Sequence, residues 1–99
     1  MIRGTTPILE FELPISASSL VDGYVVLAQH NTVLVEKRLT DCDKEDKILY
    51  VRLDQEDTLK LDDRYRTEIQ IRAKTIEGEI IASDIYTVET GRILKDGVI

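Results

Sequence analysis

The chain contains no tryptophan and only one cysteine, one phenylalanine and one histidine, and each scarcity excludes something. A lone cysteine, Cys42, cannot close an internal disulfide, and it lies between Asp41 and Asp43, whose charges raise a thiol pKa rather than activate it. His30 has no second imidazole, thiol or carboxylate cluster beside it in the sequence, so both a zinc site and a nucleophile–base pair lack their partners. The missing tryptophan and the four tyrosines leave little for the aromatic platform on which sugar-binding sandwiches rely. Tyr24, Tyr50, Tyr65 and Tyr86 read mainly as core or corner residues, with one or two left as exposed contacts.

Positive charge is short as well. Thirteen Lys and Arg stand against 19 Asp and Glu, a net charge of −6, which argues against a partner held by its phosphates, and so against nucleic acid. No apolar run approaches the roughly 18 residues that span a bilayer, and the opening MIRGTTP lacks the apolar core of a signal peptide. The expectation is a soluble protein made in the cytoplasm, with no membrane partner. The five glycines are scattered, and no phosphate loop, nucleophile elbow or HExxH occurs. The sequence therefore predicts neither an enzyme nor a cofactor-binding protein.

What is present is β-pattern. Ninety-nine residues make one domain. Leu9, Phe11 and Leu13 alternate with Glu10 and Glu12 between Pro7 and Pro14, which predicts a half-buried strand. Tyr24 to Arg38 reads as a hairpin split at His30-Asn31, with a loop longer than two residues because the usual Asn-Gly pair is missing. DCDKEDK reads as a polar loop, and Ile48 to Leu53 as a strand with Leu49, Val51 and Leu53 on one face. LDQEDTLKL suits one turn of helix capped by Asp54, with Glu56 and Asp57 in its first turn.

In YRTEIQIRAK, Tyr65, Thr67, Ile69, Ile71 and Ala73 share one face, and Glu77-Gly78 then closes a tight hairpin. Ile80, Ala82, Tyr86 and Val88 differ in parity from Ile81 and Ile85, so a bulge is expected near Ser83-Asp84. About seven short strands with frequent turn signals predict an all-β fold, an antiparallel immunoglobulin-like sandwich with one helical turn. Tyr65, just ahead of the best strand, fits the tyrosine corner of that fold, or is simply a tyrosine that starts a strand. The cysteine pair and core tryptophan of antibody domains are absent, which leaves aliphatic packing to join the sheets.

Asp41, Asp43 and Glu45 stand at alternate positions, like the first half of an EF-hand loop. Asp46 occupies the place of the required glycine and no twelfth-position Glu follows, so a solvated loop is the better reading. Glu36, Lys37 and Arg38 are expected to guard one sheet edge and the bulge near Asp84 the other. Residues 1–90 form the sandwich, and 91–99, GRILKDGVI, an apolar tail or extra strand. Ile93, Leu94, Val98 and Ile99 need cover, from the chain's own domain or from a neighbour, and are the candidate partner-binding residues.

IRGTTPILEFELP, LDQEDTLKL, EIQIRAKTIEGEIIASDI and GRILKDGVI together resemble small uncharacterised proteins encoded in phages and prophages of Gram-positive bacteria, and the likeness covers nearly the whole chain. The strand order and EGEIIASDIYTVE also resemble the immunoglobulin-like N-terminal domain of phage baseplate upper proteins, although those proteins continue where this chain stops. The resemblance implies a tail- or baseplate-associated structural module, present in the virion. It is expected to act as a homo-oligomer or through other virion proteins, and it supplies no catalytic residues. A ligand-binding or adhesion module, with carbohydrate as its ligand, is the alternative.

Overall fold

The computed structural model describes residues Met1–Ile99. In chain order it runs β1 (Ile8–Glu12), β2 (Leu20–Gln29), β3 (Thr32–Arg38), β4 (Asp43–Glu45), β5 (Ile48–Arg52), α1 (Gln55–Leu59), β6 (Thr67–Thr75), β7 (Ile80–Ala82) and β8 (Tyr86–Val88). Single 3-10 turns lie at Ala17–Ser19 and Leu39–Asp41. A three-stranded sheet in the order β1-β5-β4 covers a five-stranded sheet in the order β3-β2-β6-β7, and β8 also pairs with β6. All these pairings are antiparallel, as the sandwich reading requires.

The immunoglobulin scheme places strands A, B, E and D in one sheet and C, F and G in the other, with C′ added in variable-type domains. Here β1, β5 and β4 take the B, E and D places, while β3, β2, β6 and the β7–β8 pair take C′, C, F and G. No strand fills place A beside the outer edge of β1.

The period-2 pattern explains the core. Val25 and Leu27 of β2, Val35 of β3 and Ile69, Ile71 and Ala73 of β6 meet Leu49, Val51 and Leu53 around β5 in one cluster. Leu20, Leu39 and Leu61 join the same cluster, and Leu9, Phe11, Ile81 and Val88 pack on its margin. Each such aliphatic side chain, fully buried, contributes about 1.5–3 kcal/mol, so the sheets hold together without a disulfide. Gly23 marks the tightest backbone approach: a Cβ there would stand 2.3 Å from the Arg72 carbonyl oxygen and 2.7 Å from the Ala73 Cα.

Two local expectations are corrected. The β2–β3 hairpin closes through His30 and Asn31 alone, with Gln29 opposite Thr32. Both turn residues have positive φ, 50° and 64°, as a type I′ turn requires, and Asn tolerates this well enough to make an Asn-Gly pair unnecessary. The stretch read as a polar loop supplies β4, whose Asp43, Lys44 and Glu45 are all exposed and pair with Tyr50, Leu49 and Ile48. The backbone makes that ladder; no apolar alternation announces it.

Other details follow the pattern. From Lys74 to Ile69 is five residues along β6, but their partners Ile80 and Tyr86 are six apart, so one extra residue is inserted in the partner strand. The insertion falls at Ser83-Asp84-Ile85, between β7 and β8, where the expected bulge lies. Ser83 anchors it: its N–H donates to the Ile71 carbonyl at 2.8 Å and its hydroxyl accepts from the Ile71 N–H at 3.0 Å. The helical turn α1 begins after Asp54, whose N–H donates to the Asp57 carboxylate at 2.8 Å.

Candidate interaction surface

Residues 91–99 leave the sandwich at Gly91, which forms a parallel bridge with Ile2. Arg3 N–H donates to the Gly91 carbonyl at 3.0 Å, and Gly91 N–H donates to the Met1 carbonyl at 2.7 Å. Beyond Gly91 the chain forms no strand and runs beside α1. Ile99 N–H donates to Gln55 Oε1 at 2.8 Å, and Arg3 forms an ion pair with Asp96 at 2.7 Å. The Arg3 guanidinium also donates to the Leu61 and Leu59 carbonyls, at 2.6 and 3.0 Å, fixing the N-terminal segment to the loop after α1.

The four aliphatic residues of the tail do not act together. Ile93 turns inward, so close to Gly4 that a Cβ on that glycine would stand 3.0 Å from Ile93 Cδ1. Leu94, Val98 and Ile99 point outward, with Leu94 94% exposed. The tail is thus moored by polar contacts and by Ile93, while three aliphatic side chains face solvent.

A second apolar feature lies between the sheet edges. Beside the unfilled A place, Phe11, Leu13 and Ile15 face Ile71, Ile81 and Tyr86 across an open groove of about 320 Å³. Pro14 and Ala82 also line it, and Glu12 and Glu79 supply its carboxylates. The Phe11 and Tyr86 rings stand 6.1 Å apart, centroid to centroid, and form the nearest thing to a bridge between the two edges. Nothing in the sequence alone announces this groove, because its walls come from strands that never pair with each other. Its only local sign is an apolar stretch, Leu13 to Ile15, that continues past the end of β1.

The outer edge of β1 is part of this feature. Leu53 N–H donates to the Pro7 carbonyl and Leu13 N–H to the Lys47 carbonyl, so these ends of the ladder point toward β5. By the alternation of an antiparallel ladder, the backbone N–H and C=O groups of Ile8, Glu10 and Glu12 point away from β5, toward the empty place.

Tyr65 does not form a tyrosine corner. It precedes β6, is 40% exposed, and its hydroxyl makes no hydrogen bond. Its ring lies 5.0 Å from that of His30 and beneath the Arg64 guanidinium, whose carbon is 5.7 Å from the ring centroid. The tying role falls to Gln29, which is 3% exposed. Its Nε2 donates to the Asp62 carbonyl at 2.8 Å and reaches the Tyr65 carbonyl and the Thr67 and Thr90 hydroxyls at 3.2 Å. Its Oε1 accepts from the Asp62 N–H at 2.7 Å. One side chain at the end of β2 therefore holds the loop before β6, the start of β6 and Thr90, two residues past β8.

Several charged groups pair locally. Burial pushes the Asp57 carboxyl up, but the Lys37 ammonium at 2.7 Å and the Asp54 N–H outweigh it, so its pKa falls below the ordinary carboxylate value. The same hydrogen bond raises the pKa of Lys37 against the opposing effect of burial. Lys37 therefore turns from the β3 edge toward α1, leaving Glu36 and Arg38 exposed there. Arg64 hydrogen bonds hold the Asp62 carboxyl down, to a pKa of about 2. Burial, then Asp41, raises the Cys42 thiol pKa, and its Sγ lies 3.3 Å from the Arg38 carbonyl.

Nowhere do three or more His, Cys, Asp or Glu side chains come together as a metal-binding group. No helix is long and apolar enough to cross a membrane. No protein-family model matches the chain, and comparison with curated proteins and with solved structures gives no match.

Proposed function

We propose that this chain is a non-catalytic structural or assembly module that works through protein–protein contacts, as a tail- or baseplate-associated component of a phage or prophage. The observation that carries the interaction reading is the pairing of two apolar features on one small sandwich: outward-facing Leu94, Val98 and Ile99, and an open groove beside a free strand edge. Apolar grooves on a protein surface mark binding sites. A free edge adds backbone groups that a partner's main chain can satisfy. The phage assignment rests on the sequence resemblance described above.

The reactive side chains support the absence of catalysis. The Cys42 thiol has a raised pKa rather than a lowered one, and His30 sits at a hairpin tip against Tyr65. The alternative, a carbohydrate-binding module, has one site to recommend it: a cleft of about 260 Å³ lined by Asp22, Tyr24, Arg38 and Arg72. There Arg38 already pairs with Asp22 at 2.9 Å, and Arg72 donates to the Tyr24 hydroxyl at 3.1 Å. A sugar would have to displace both contacts, which favours the protein-contact reading.

Light scattering on the purified chain, alone and with other proteins of the same phage or prophage, tests the proposal. A multimer of the 11.3 kDa chain, or a stable complex, is expected. A protein that stays monomeric under all these conditions and binds a glycan would overturn it.

A further inference from the structure

The groove and the tail lie toward opposite ends of a molecule 46 Å long. The tail lies against α1, which follows the end of β5 opposite the start of β1. The groove begins at the other end of β1, with Phe11 to Ile15, and follows β6 along Ile71, Ala73 and Thr75. Thr67, at the start of β6, contacts Thr90, where the tail departs. The groove wall nearest the tail is Tyr86, opposite Ile69, and the β6 wall starts at Ile71, four residues or about 13 Å from Thr67. With Ile93 seated against Gly4 and Ile99 held by Gln55, the tail lies outside the groove of its own chain.

We infer that the occupant of the groove is the 92–99 segment of a second copy, so that chains associate head to tail. This rests on the protein-contact reading above and names its partner. The features match in chemistry as well as in place. Leu94, Val98 and Ile99 supply aliphatic side chains to walls made by Phe11, Leu13, Ile81 and Tyr86. Arg92 and Lys95 flank Leu94 and, against the single Asp96, leave the side chains of the segment net positive, facing a groove whose own charged residues are Glu12 and Glu79.

The incoming main chain meets the outward N–H and C=O groups of β1, in the place an A strand would hold. Ile93 stays against Gly4, and the rest of the segment is freed with little resistance, since the Arg3–Asp96 pair is surface-exposed on the Asp96 side and the Gln55 contacts are exposed too. Because groove and tail are different patches, each association leaves one of each free. The contact is heterologous, and it builds a ring where the rotation closes and a filament where it does not.

Three full-length variants test this by sedimentation velocity across a concentration series. A tail variant, Leu94→Asp with Val98→Asp and Ile99→Asp, changes only exposed residues. A groove variant, Glu12→Lys with Glu79→Lys, does the same at the other end. Each alone is expected to remain at 11.3 kDa where the unaltered chain associates, with an apparent Kd raised at least about 100-fold for the tail variant.

Mixed one to one, the two variants keep one intact groove and one intact tail between them, and are expected to form a dimer that grows no further. The third variant joins Glu12→Lys and Glu79→Lys to Arg92→Glu and Lys95→Glu, and is expected to associate again. The inference is overturned if either single-site variant associates as the unaltered chain does, or if the mixture stays monomeric. A multimer that survives both sets of substitutions would leave the protein-contact reading intact and move the interface elsewhere. A monomeric unaltered chain would overturn the head-to-tail contact, and the broader reading would then rest on complexes with other proteins.

Discussion

Replacing Gln29 with leucine tests whether one buried amide holds the end of the sandwich from which the tail departs. The substitution keeps the side chain's size but removes every polar atom. Two short bonds form a clamp on Asp62, at 2.8 Å from Nε2 to its carbonyl and 2.7 Å from its N–H to Oε1. The three contacts at 3.2 Å share the second Nε2 proton, so the whole arrangement amounts to about three hydrogen bonds. At about 1 kcal/mol each the loss is about 3 kcal/mol, and the added apolar burial returns about 1.

A net loss of about 2 kcal/mol corresponds to a fall of about 8–16 °C in Tm for a domain of this size. Urea titration followed by circular dichroism gives the free energy, with an unchanged slope showing that the unfolded reference is the same. The companion variant is Tyr65→Phe. Because the Tyr65 hydroxyl has no partner, its removal is expected to change stability by less than about 0.5 kcal/mol. The reasoning fails if the two results are reversed: a Gln29→Leu protein within about 0.5 kcal/mol of the unaltered chain, and a Tyr65→Phe protein about 1 kcal/mol or more below it. That outcome would return the anchoring role to a tyrosine corner.

Three further outcomes are expected. Gly23→Ala combines a φ of 141° with a contact at 2.3 Å to the Arg72 carbonyl oxygen, and should cost about 3 kcal/mol or more in urea titration, the range of severe backbone and overpacking defects. Asp57→Asn should cost about 1–3 kcal/mol at pH 7, by weakening the N-terminal cap of α1 and leaving the ammonium of Lys37, only 25% exposed, without its partner. The lowered pKa of Asp57 makes its contribution complete above the unfolded value near pH 4 and lost as pH falls through the folded value, while the raised pKa of Lys37 makes its own complete below about pH 10 and lost above. The stability gap between the Asp57→Asn and unaltered proteins should therefore close as the solution is acidified below about pH 4, and a gap unchanged down to pH 2.5 would contradict this. Ile93→Ala should lower stability by about 1 kcal/mol, as for a half-buried aliphatic, whereas Leu94→Ala, 94% exposed, should leave the stability of a dilute sample within about 0.5 kcal/mol in urea titration.

The strands that bury one face were legible because burial imposes alternation. Ile69, Ile71 and Ala73 announce β6, and the parity conflict between Ile81 and Val88 announces the one-residue insertion that lets both face the core. The cap of α1 was legible because Asp54 and Asp57 bond within one turn. β4 was not, because Asp43, Lys44 and Glu45 bury nothing and their pairing is purely a matter of backbone. In the sequence Gln29 is only the polar residue that follows the apolar run YVVLA. Its importance depends on Asp62, Thr67 and Thr90, which lie 33 or more residues away, and no local pattern carries that information. Tyr65 shows the converse, since a correct spacing for the fold was satisfied by a residue that fills a different role.

The tail brings the two kinds of information together. Read as sequence, Ile93, Leu94, Val98 and Ile99 are four aliphatic residues in need of cover, and composition cannot divide them. The fold divides them through Gly91: its bridge to Ile2 aims the chain along α1, so Ile93 turns toward Gly4 while Leu94 is left facing outward. Docking on the chain's own domain and docking on a neighbour are therefore not competing fates for the whole segment. Ile93 keeps the segment at one end of the molecule, against Gly4, while the groove lies toward the other. The self-docked residue thus makes the remaining three available to another molecule.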